Sequence, residues 1–290
     1  MSCIDALEDE CSGGCCCVNE NLSDYDKLEG AYGAVQDNWG DRDVFHGGYI
    51  NLGYWKDFSP NKPISIGDRI KSARDLYIYI LDLLQPTTRD RVLELGCGRG
   101  MGIADAVLRY GIREFIGLDA LPAQVARARR NVSTNMALDG AKIELLAAPA
   151  NATGQPDHSV DKVFSVEVMQ HFNQFSLLAI ELKRILKRGG RAVLTAHLST
   201  TSNSVQSMMR ENLLFGEGLI DVFCPIGDVV SAFEACGFYT TSHSIGAKVF
   251  NGFGQWLEQE HLDNVIGLNL CKSYKKGYID YFVVTVNSRE

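Results

Sequence analysis

The sequence predicts an α/β fold, a mostly parallel sheet with helices on both faces. Three observations carry that expectation. From Arg91 onward short apolar runs alternate with amphipathic stretches, the first run ends in the glycine-rich "GCGRG", and the second ends in an acid, Asp119. With 290 residues and 46% hydrophobic content, the chain can bury a large core, and one domain with insertions is the default reading.

Residues 1–22 read as a disordered Cys-rich tail that holds five of the nine cysteines. Neighbouring Cys15, Cys16 and Cys17 point in divergent directions and no later Cys-x-x-Cys completes a set of four ligands, so no metal site is expected. Cys224, Cys236 and Cys271 read as buried thiols of a reducing compartment. Residues 23–88 form the expected N-terminal cap: a helix over 23–37, an aromatic loop rich in Gly and Asp up to Pro60, then a long helix. In that helix Ile70, Ala73, Tyr77, Ile80, Leu81 and Leu84 repeat at three-to-four spacing from Ile66 until Pro86 stops it.

The core, residues 89–200, follows. Strands are expected at 91–96, 114–119, 142–148, 160–166 and 190–197, with helices at 101–110, 122–138 and 177–186. Pro122 suits the first turn of the second of these helices. Residues 201–236 read as a lid region that ends in a helix at 226–236. Residues 237–290 supply the last two strands, 238–245 and 280–286, joined by a helical stretch at 250–263 and a loop, and at least one of the two can pair antiparallel at the sheet edge.

Bulk charge narrows the function classes. The 28 basic residues face 36 acidic ones, and a net charge of −8 gives no overall attraction for nucleic-acid phosphates. No apolar run approaches the roughly 20 residues that span a bilayer. The acidic start "MSCIDALEDE" lacks the regions of a signal peptide, so a cytoplasmic location is expected.

Open parallel sheets bind ligands beyond the carboxyl ends of their strands. Gly96, Gly98 and Gly100 fall there, where glycine permits positive φ and close approach of a ligand to the main chain. A dinucleotide site would want Gly-x-Gly-x-x-Gly, yet position 101 is Met. Asp119, at the end of the next strand, can accept hydrogen bonds from both hydroxyls of a ribose, which suits NAD or an adenosyl sulfonium. Glu94 favours the second, because a carboxylate there attracts an ammonium group and repels a pyrophosphate. In the alternative reading Asp119 only caps a helix and Glu94 is solvated.

The segments "VLELGCGRG", "FIGLDALPAQVARAR", "PDHSVDKVFSVEVMQHF" and "ELKRILKRGGRAVLTAH" resemble, in order, the class I S-adenosylmethionine-dependent methyltransferases. They are most similar to the small-molecule branch acting on ubiquinone, tocopherol, sterol and natural products. The resemblance implies a Rossmann-like seven-stranded sheet with one antiparallel edge strand, S-adenosyl-L-methionine as cofactor and S-adenosyl-L-homocysteine as product. It also implies that Gly96, Cys97 and Gly98 line the methionine and ribose, Asp119 holds the ribose, Ala120 and Gln124 sit near the adenosine, and Ser165, Val166 and Gln170 lie at the sulfur end. Where the family often has Gly-Asp-Ala, this chain reads Ala148-Pro149-Ala150, so backbone groups of Ala150 and Asn151 or a neighbouring side chain must recognise adenine. "NLGYW" also resembles the branch and makes Tyr49, Asn51 and Tyr54 candidates for holding the carboxylate of the cofactor; packing on the sheet is the competing reading.

Methyl transfer requires alignment of nucleophile, methyl and sulfur, and an acidic acceptor must lose a proton. His171 and His197 fall after the fourth and fifth strands and are the candidate bases. Related sugar methyltransferases place an acid where this chain has Ala196, which weakens a simple His-Asp pair here. Phe215, Phe223, Phe250, Phe253, Trp256 and Tyr281 are candidates for an apolar substrate wall, or else for core.

The expected function is therefore metal-independent methyl transfer to O, N or C of a small, largely apolar natural-product, isoprenoid or quinone substrate. The expected partner is that substrate, with a homodimer left open. Base-amine methylation would want Asn/Asp-Pro-Pro-aromatic in place of "SVEV", and a catechol-type metal enzyme would want acids after the fourth strand and an Asp-Asn pair near the fifth. A cyclase of the same fold, and a non-catalytic binder of the cofactor, are the alternatives.

Overall fold

The computed structural model describes residues 43–172, 174–201, 221–262 and 265–289. The expected tail at 1–22 and helix at 23–37 lie outside the described residues, as does most of the expected lid, including Phe215. Among the described residues no helix is long and apolar enough to cross a membrane.

Helix α1 (Ile66–Leu84) opens on a capping box: Ser65 Oγ accepts from the Asp68 amide at 3.1 Å and the Asp68 carboxylate accepts from the Ser65 amide at 3.0 Å. Of the predicted face, Ala73, Tyr77, Ile80, Leu81 and Leu84 are buried and Ile70 is half-buried, and Leu76 joins the buried side. Strands β1 (Arg91–Leu95), β2 (Glu114–Asp119), β3 (Lys142–Ala147) and β4 (Val160–Val166) alternate with α2 (Met101–Tyr110) and α3 (Pro122–Thr134), and all four strands are parallel. The predicted helix over 122–138 ends early, because Asn135 leaves the helical conformation and caps a separate 3₁₀ turn at Met136–Leu138. Helix α4 (Phe175–Ile185) and the long strand β5 (Leu186–Ser199) complete the parallel part.

The strand order is β3-β2-β1-β4-β5-β7-β6. Strand β6 (Tyr239–Ser244) is the outer edge, and β7 (Ile279–Asn287) runs antiparallel to both β5 and β6. The expected antiparallel edge strand is therefore corrected: it lies one place inside the edge. Burial explains why, since "DYFVVTV" presents Tyr281, Val283, Val284 and Val286, all buried, whereas β6 "YTTSHS" is largely exposed.

Helix α5 (Ile226–Ala235), expected as part of the lid, instead covers the sheet through Val229 and Phe233. Helix α6 (Gly246–Gln259) starts four residues before the predicted helical stretch. Helix α7 (Val265–Lys275), expected as loop, is helical; its buried side includes Asn269 and Ser273 beside Leu270 and Cys271, which blurs the apolar period.

The sheet divides two apolar layers. Val92 and Phe164 face α1, α2, α6 and the cap, while Leu93, Leu95 and Val163 face α4 and α5. The cap segment is tied down by its backbone, with Tyr54 N donating to Ser72 O at 2.8 Å and Trp55 N to Lys248 O at 2.7 Å. Gly252 on α6 leaves room for the Trp55 indole, which a Cβ there would strike. The order of strands reverses between β1 and β4, so the loops after these two strands diverge and open a crevice.

Candidate active site

The crevice is the site. It is walled by Gly96–Arg99 after β1, Leu118–Leu121 after β2, Ala148–Asn151 after β3 and Val166–Val168 with His171 and Phe172 after β4. Gly48–Ile50 of the cap and Tyr77 of α1 close it on the remaining side.

The glycine turn is held from below. Cys97 N donates to Leu118 O at 2.7 Å, and Gly100 N to Cys97 O at 2.7 Å, so the loop curls back over β2. Gly96 and Gly98 take φ of +73° and +49°. A side chain at Gly96 would collide with Val168, while at Gly98 nothing stands within 4 Å of the position a Cβ would take. The Cys97 thiol is buried and its pKa is pushed up by burial, then by the charges of Glu94 and Asp119, which leaves it an inert wall atom.

Asp119 is fixed by the same turn. Gly98 N donates to its Oδ2 and Leu121 N to its Oδ1, both at 2.9 Å, which leaves lone pairs on both oxygens. Burial raises its pKa, and these two amides oppose the rise. Gln124 lines the crevice with its Oε1 accepting from Arg127 Nη1 at 3.0 Å.

At the far end lies a group of acids and imidazoles. His171 Nδ1 stands 3.0 Å from Asp221 Oδ1, and His197 Nε2 stands 2.7 Å from Asp221 Oδ2. All three are buried or nearly so. Burial alone would lower the His197 pKa, but the Asp221 carboxylate, with help from Glu167, raises it. Asp221 is buried too, and the two imidazoles outweigh that and hold its carboxyl well below the usual range. Glu167 has the left-handed φ of +56°, and its Oε1 accepts from Leu52 N at 2.7 Å and from Tyr281 Oη at 2.8 Å. Its pKa is raised by burial, against the pull of the Leu52 amide, His197, Tyr281 and Arg69.

Of the sequence candidates, Tyr49, Gly96, Cys97, Gly98, Asp119, Ala120, Gln124, Ala150, Asn151, Val166 and His171 line this one crevice. Others do not, and each has a physical reason. Asn51 is spent on structure, its amide donating to Ala73 O at 3.1 Å and its carbonyl accepting from Gly53 N at 2.9 Å. Tyr54 stacks on Tyr79 at 4.6 Å, facing a separate surface cleft. Glu94 alternates to the α1 side of the sheet, sealed against Gly102 and Tyr77 beneath the crevice, and burial drives its pKa far up. Ser165 Oγ donates to Leu95 O at 2.9 Å, and Gln170 Nε2 to Glu167 O at 2.9 Å.

His197 is likewise behind the wall, ring to ring with Phe223 at 6.2 Å. Of the expected substrate wall, Phe250 stacks on Tyr274 at 4.7 Å, Phe253 lies under the Arg69 guanidinium at 5.7 Å, Trp256 meets His46 edge-on at 5.6 Å, and Tyr281 serves Glu167. These are core, because α6 turns its apolar face onto the cap and β7. Sequence reasoning missed two acids. Glu167 carries a readable signal, an acid directly after a parallel strand; Asp221 stands 24 positions after its partner His197 and carries none. Among the described residues no group of three or more His, Cys, Asp or Glu is arranged to hold a metal ion.

Residues 93–194 match the family model described as "Methyltransferase domain". The sheet order is that of the Rossmann-like methyltransferase fold, and the glycine turn and the anchored acid fall within the matched residues. Among curated proteins, the chain is 32% identical over 177 residues to 2-methyl-6-phytyl-1,4-hydroquinone methyltransferase of Synechocystis, covering 57% of this chain and 49% of that one. The chain spans about half the length of the curated relatives it matches.

Two solved structures share the fold. Geranyl diphosphate C-methyltransferase from Streptomyces coelicolor, in complex with Mg²⁺, geranyl diphosphate and S-adenosyl-L-homocysteine, superposes with a TM-score of 0.73 at 16% identity, covering 92% of this chain and 98% of that one. The [4+2]-cyclase SpnF superposes with a TM-score of 0.70 at 14% identity, covering 92% and 97%. Identities this low speak to the fold alone.

Proposed function

We propose that the protein transfers a methyl group from S-adenosyl-L-methionine to O, N or C of a small, largely apolar molecule of the natural-product, isoprenoid or quinone kind. The observation that carries this reading is the Asp119 carboxylate, locked by two backbone amides at the crevice wall with lone pairs on both oxygens. Open space beside Gly98 is a cradle that a Cβ would fill, so the residues present fit the cofactor.

In this reading Asp119 holds the ribose, the Gly96–Gly98 turn the amino-acid tail, and Ala120, Gln124 and the 148–151 backbone the adenine side. When bound, the sulfonium supplies a methyl group activated for displacement. Tyr49 and Ile50 of the cap and Phe172 exclude water from the crevice. The Tyr49 hydroxyl is engaged by Asp105 at 2.7 Å, which fixes its ring as wall. His171, the imidazole on the crevice surface, accepts the proton of an acidic acceptor.

The test is titration calorimetry with S-adenosyl-L-methionine and NAD, followed by incubation with phenolic, quinol and isoprenoid acceptors and detection of S-adenosyl-L-homocysteine. Binding of the first ligand and release of that product support the proposal. Tight NAD binding with no heat from S-adenosyl-L-methionine overturns it. Conversion of an acceptor without that product supports instead a cyclase, the activity named for one of the structures sharing this fold.

A further inference from the structure

Glu167 lies on the crevice surface, yet its carboxylate reaches across to the cap and to β7, accepting from Leu52 N at 2.7 Å and from Tyr281 Oη at 2.8 Å. Its main chain is fixed independently, the Glu167 amide donating to Thr195 O at 2.8 Å. With φ at +56°, the position is one that glycine would fill at less cost. A strained residue kept at the wall of a site points to a task for its side chain.

We propose that Glu167 is a positioning residue that latches the cap over the crevice and couples that closure to the cofactor: through the Leu52 amide it holds the wall formed by Gly48, Tyr49 and Ile50 shut. The coupling to the cofactor rests on the methyl-transfer reading; the latch itself does not.

The latch grips a single peptide unit from both ends. Asn51 O accepts from Arg69 Nη2 at 2.6 Å, and Leu52 N, in the same unit, donates to Glu167 Oε1. The oxygen and the N–H of a trans peptide point in opposite directions, so a cation stands at its negative end and a carboxylate at its positive end. Burial opposes the ionised form of Glu167, while the Leu52 amide, His197, Tyr281 and Arg69 all favour it.

Place in the fold makes this bond the one that spans the crevice. Tyr54 N and the Asn51 side chain bond to α1, Trp55 N to α6, and Tyr49 Oη to Asp105 of α2, which Arg74 Nε also holds at 2.6 Å. Those contacts anchor the outer side of the cap. Glu167 ties its inner side to the end of β4, on the opposite wall. A ligand that fills the crevice displaces water beside Glu167, and the bond from Leu52 strengthens as the local dielectric falls. By linkage, the shut cap then retains that ligand by the same factor.

The experiment is hydrogen exchange read amide by amide by NMR on the full chain, for wild type, Glu167→Gly and Glu167→Gln, with and without S-adenosyl-L-methionine. Calorimetry and the dissociation rate of the cofactor accompany it. Glycine removes the carboxylate and accepts the left-handed φ; glutamine keeps an acceptor for Leu52 and Tyr281 but loses the charge. In ligand-free Glu167→Gly the Leu52 amide should exchange at least about tenfold faster, the low end for loss of a bond to a charged acceptor. The Leu93 and Ile116 amides of the sheet should stay within about twofold of wild type, because the opening is local. The cofactor should slow Leu52 exchange in wild type but not in Glu167→Gly, and should leave that variant at least about tenfold faster. Glu167→Gln should fall between the two in both readings.

Leu52 exchange that matches wild type in both variants overturns the proposal. Parallel loss of protection in β1 and β2 does so too, since it marks a residue of the fold and not of the cap. Faster Leu52 exchange with an unchanged dissociation rate overturns the coupling. No heat from S-adenosyl-L-methionine in wild type refutes the methyl-transfer reading, while faster Leu52 exchange in ligand-free Glu167→Gly still supports the latch.

Discussion

Gly96 and Gly98 stand two positions apart in the same turn, both with positive φ, yet their replacement by alanine is expected to fail in opposite ways. Moving any L-residue into the left-handed region costs roughly 1–2 kcal/mol. At Gly98 that is the whole folding cost, because the added methyl meets nothing within 4 Å. At Gly96 the methyl strikes the Val168 side chain, and overpacking adds roughly 1–3 kcal/mol. Gly96→Ala should therefore lose about 2–5 kcal/mol of stability and Gly98→Ala about 1–2 kcal/mol.

At roughly 2–4 °C per kcal/mol for a domain of this size, the difference is readable in a melt. Ligand binding should separate them further. The Gly98 methyl projects into open space at the crevice wall, so Gly98→Ala should weaken S-adenosyl-L-methionine at least about tenfold, or about 1.4 kcal/mol, in calorimetry on the folded variant. A Gly98→Ala protein that binds the cofactor like wild type would mean that the turn cradles something else. Equal melting of the two variants would mean that Val168 yields freely.

Asp119→Ala should cut cofactor affinity by about 10²-fold or more, since hydrogen bonds to a charged acceptor are worth roughly 1.5–3 kcal/mol each; unchanged heats would relocate the ribose. Because the folded-state pKa of His197 is raised, its pairing with Asp221 stabilises the fold fully below about pH 6.5 and is lost as pH rises through the raised value. Urea midpoints between pH 5 and 9 should thus decline with pH more steeply in wild type than in His197→Gln, and the reverse order would remove the ion pair from the account. Arg69 is fully buried, its pKa pushed down to about 10 by burial, and it donates to Val44 O at 3.1 Å and Asn51 O at 2.6 Å. Arg69→Leu strands both carbonyls and should cost about 2–5 kcal/mol in urea unfolding; a loss below about 1 kcal/mol would show that the cap does not depend on it.

What the sequence by itself determined is whatever follows from local period and local backbone chemistry. The helix at 66–84, the strands at 91–95, 114–119 and 160–166, the glycine turn and the acid after β2 are each written within a few neighbouring residues, because apolar spacing, proline, glycine and caps act over that range. Asp119, Gln124 and His171 reach the crevice because they lie at or just after the carboxyl ends of β2 and β4, whereas Tyr49 reaches it from the cap.

Only the tertiary structure decided the rest. The sequence offered Phe250, Phe253 and Trp256 as substrate wall or as core, and residues far along the chain chose core: Trp55 fills the space over Gly252, and the Arg69 guanidinium covers Phe253. Glu94 could attract an ammonium only if it reached the crevice, and packing with Gly102 and Tyr77 buries it beneath the crevice instead. The partner of His197 was sought at position 196, beside it in sequence, and came instead from Asp221, which the return of the chain brings against two strand ends at once. A charge pairs with whatever carboxylate folding delivers within about 3 Å, and no local pattern encodes that meeting.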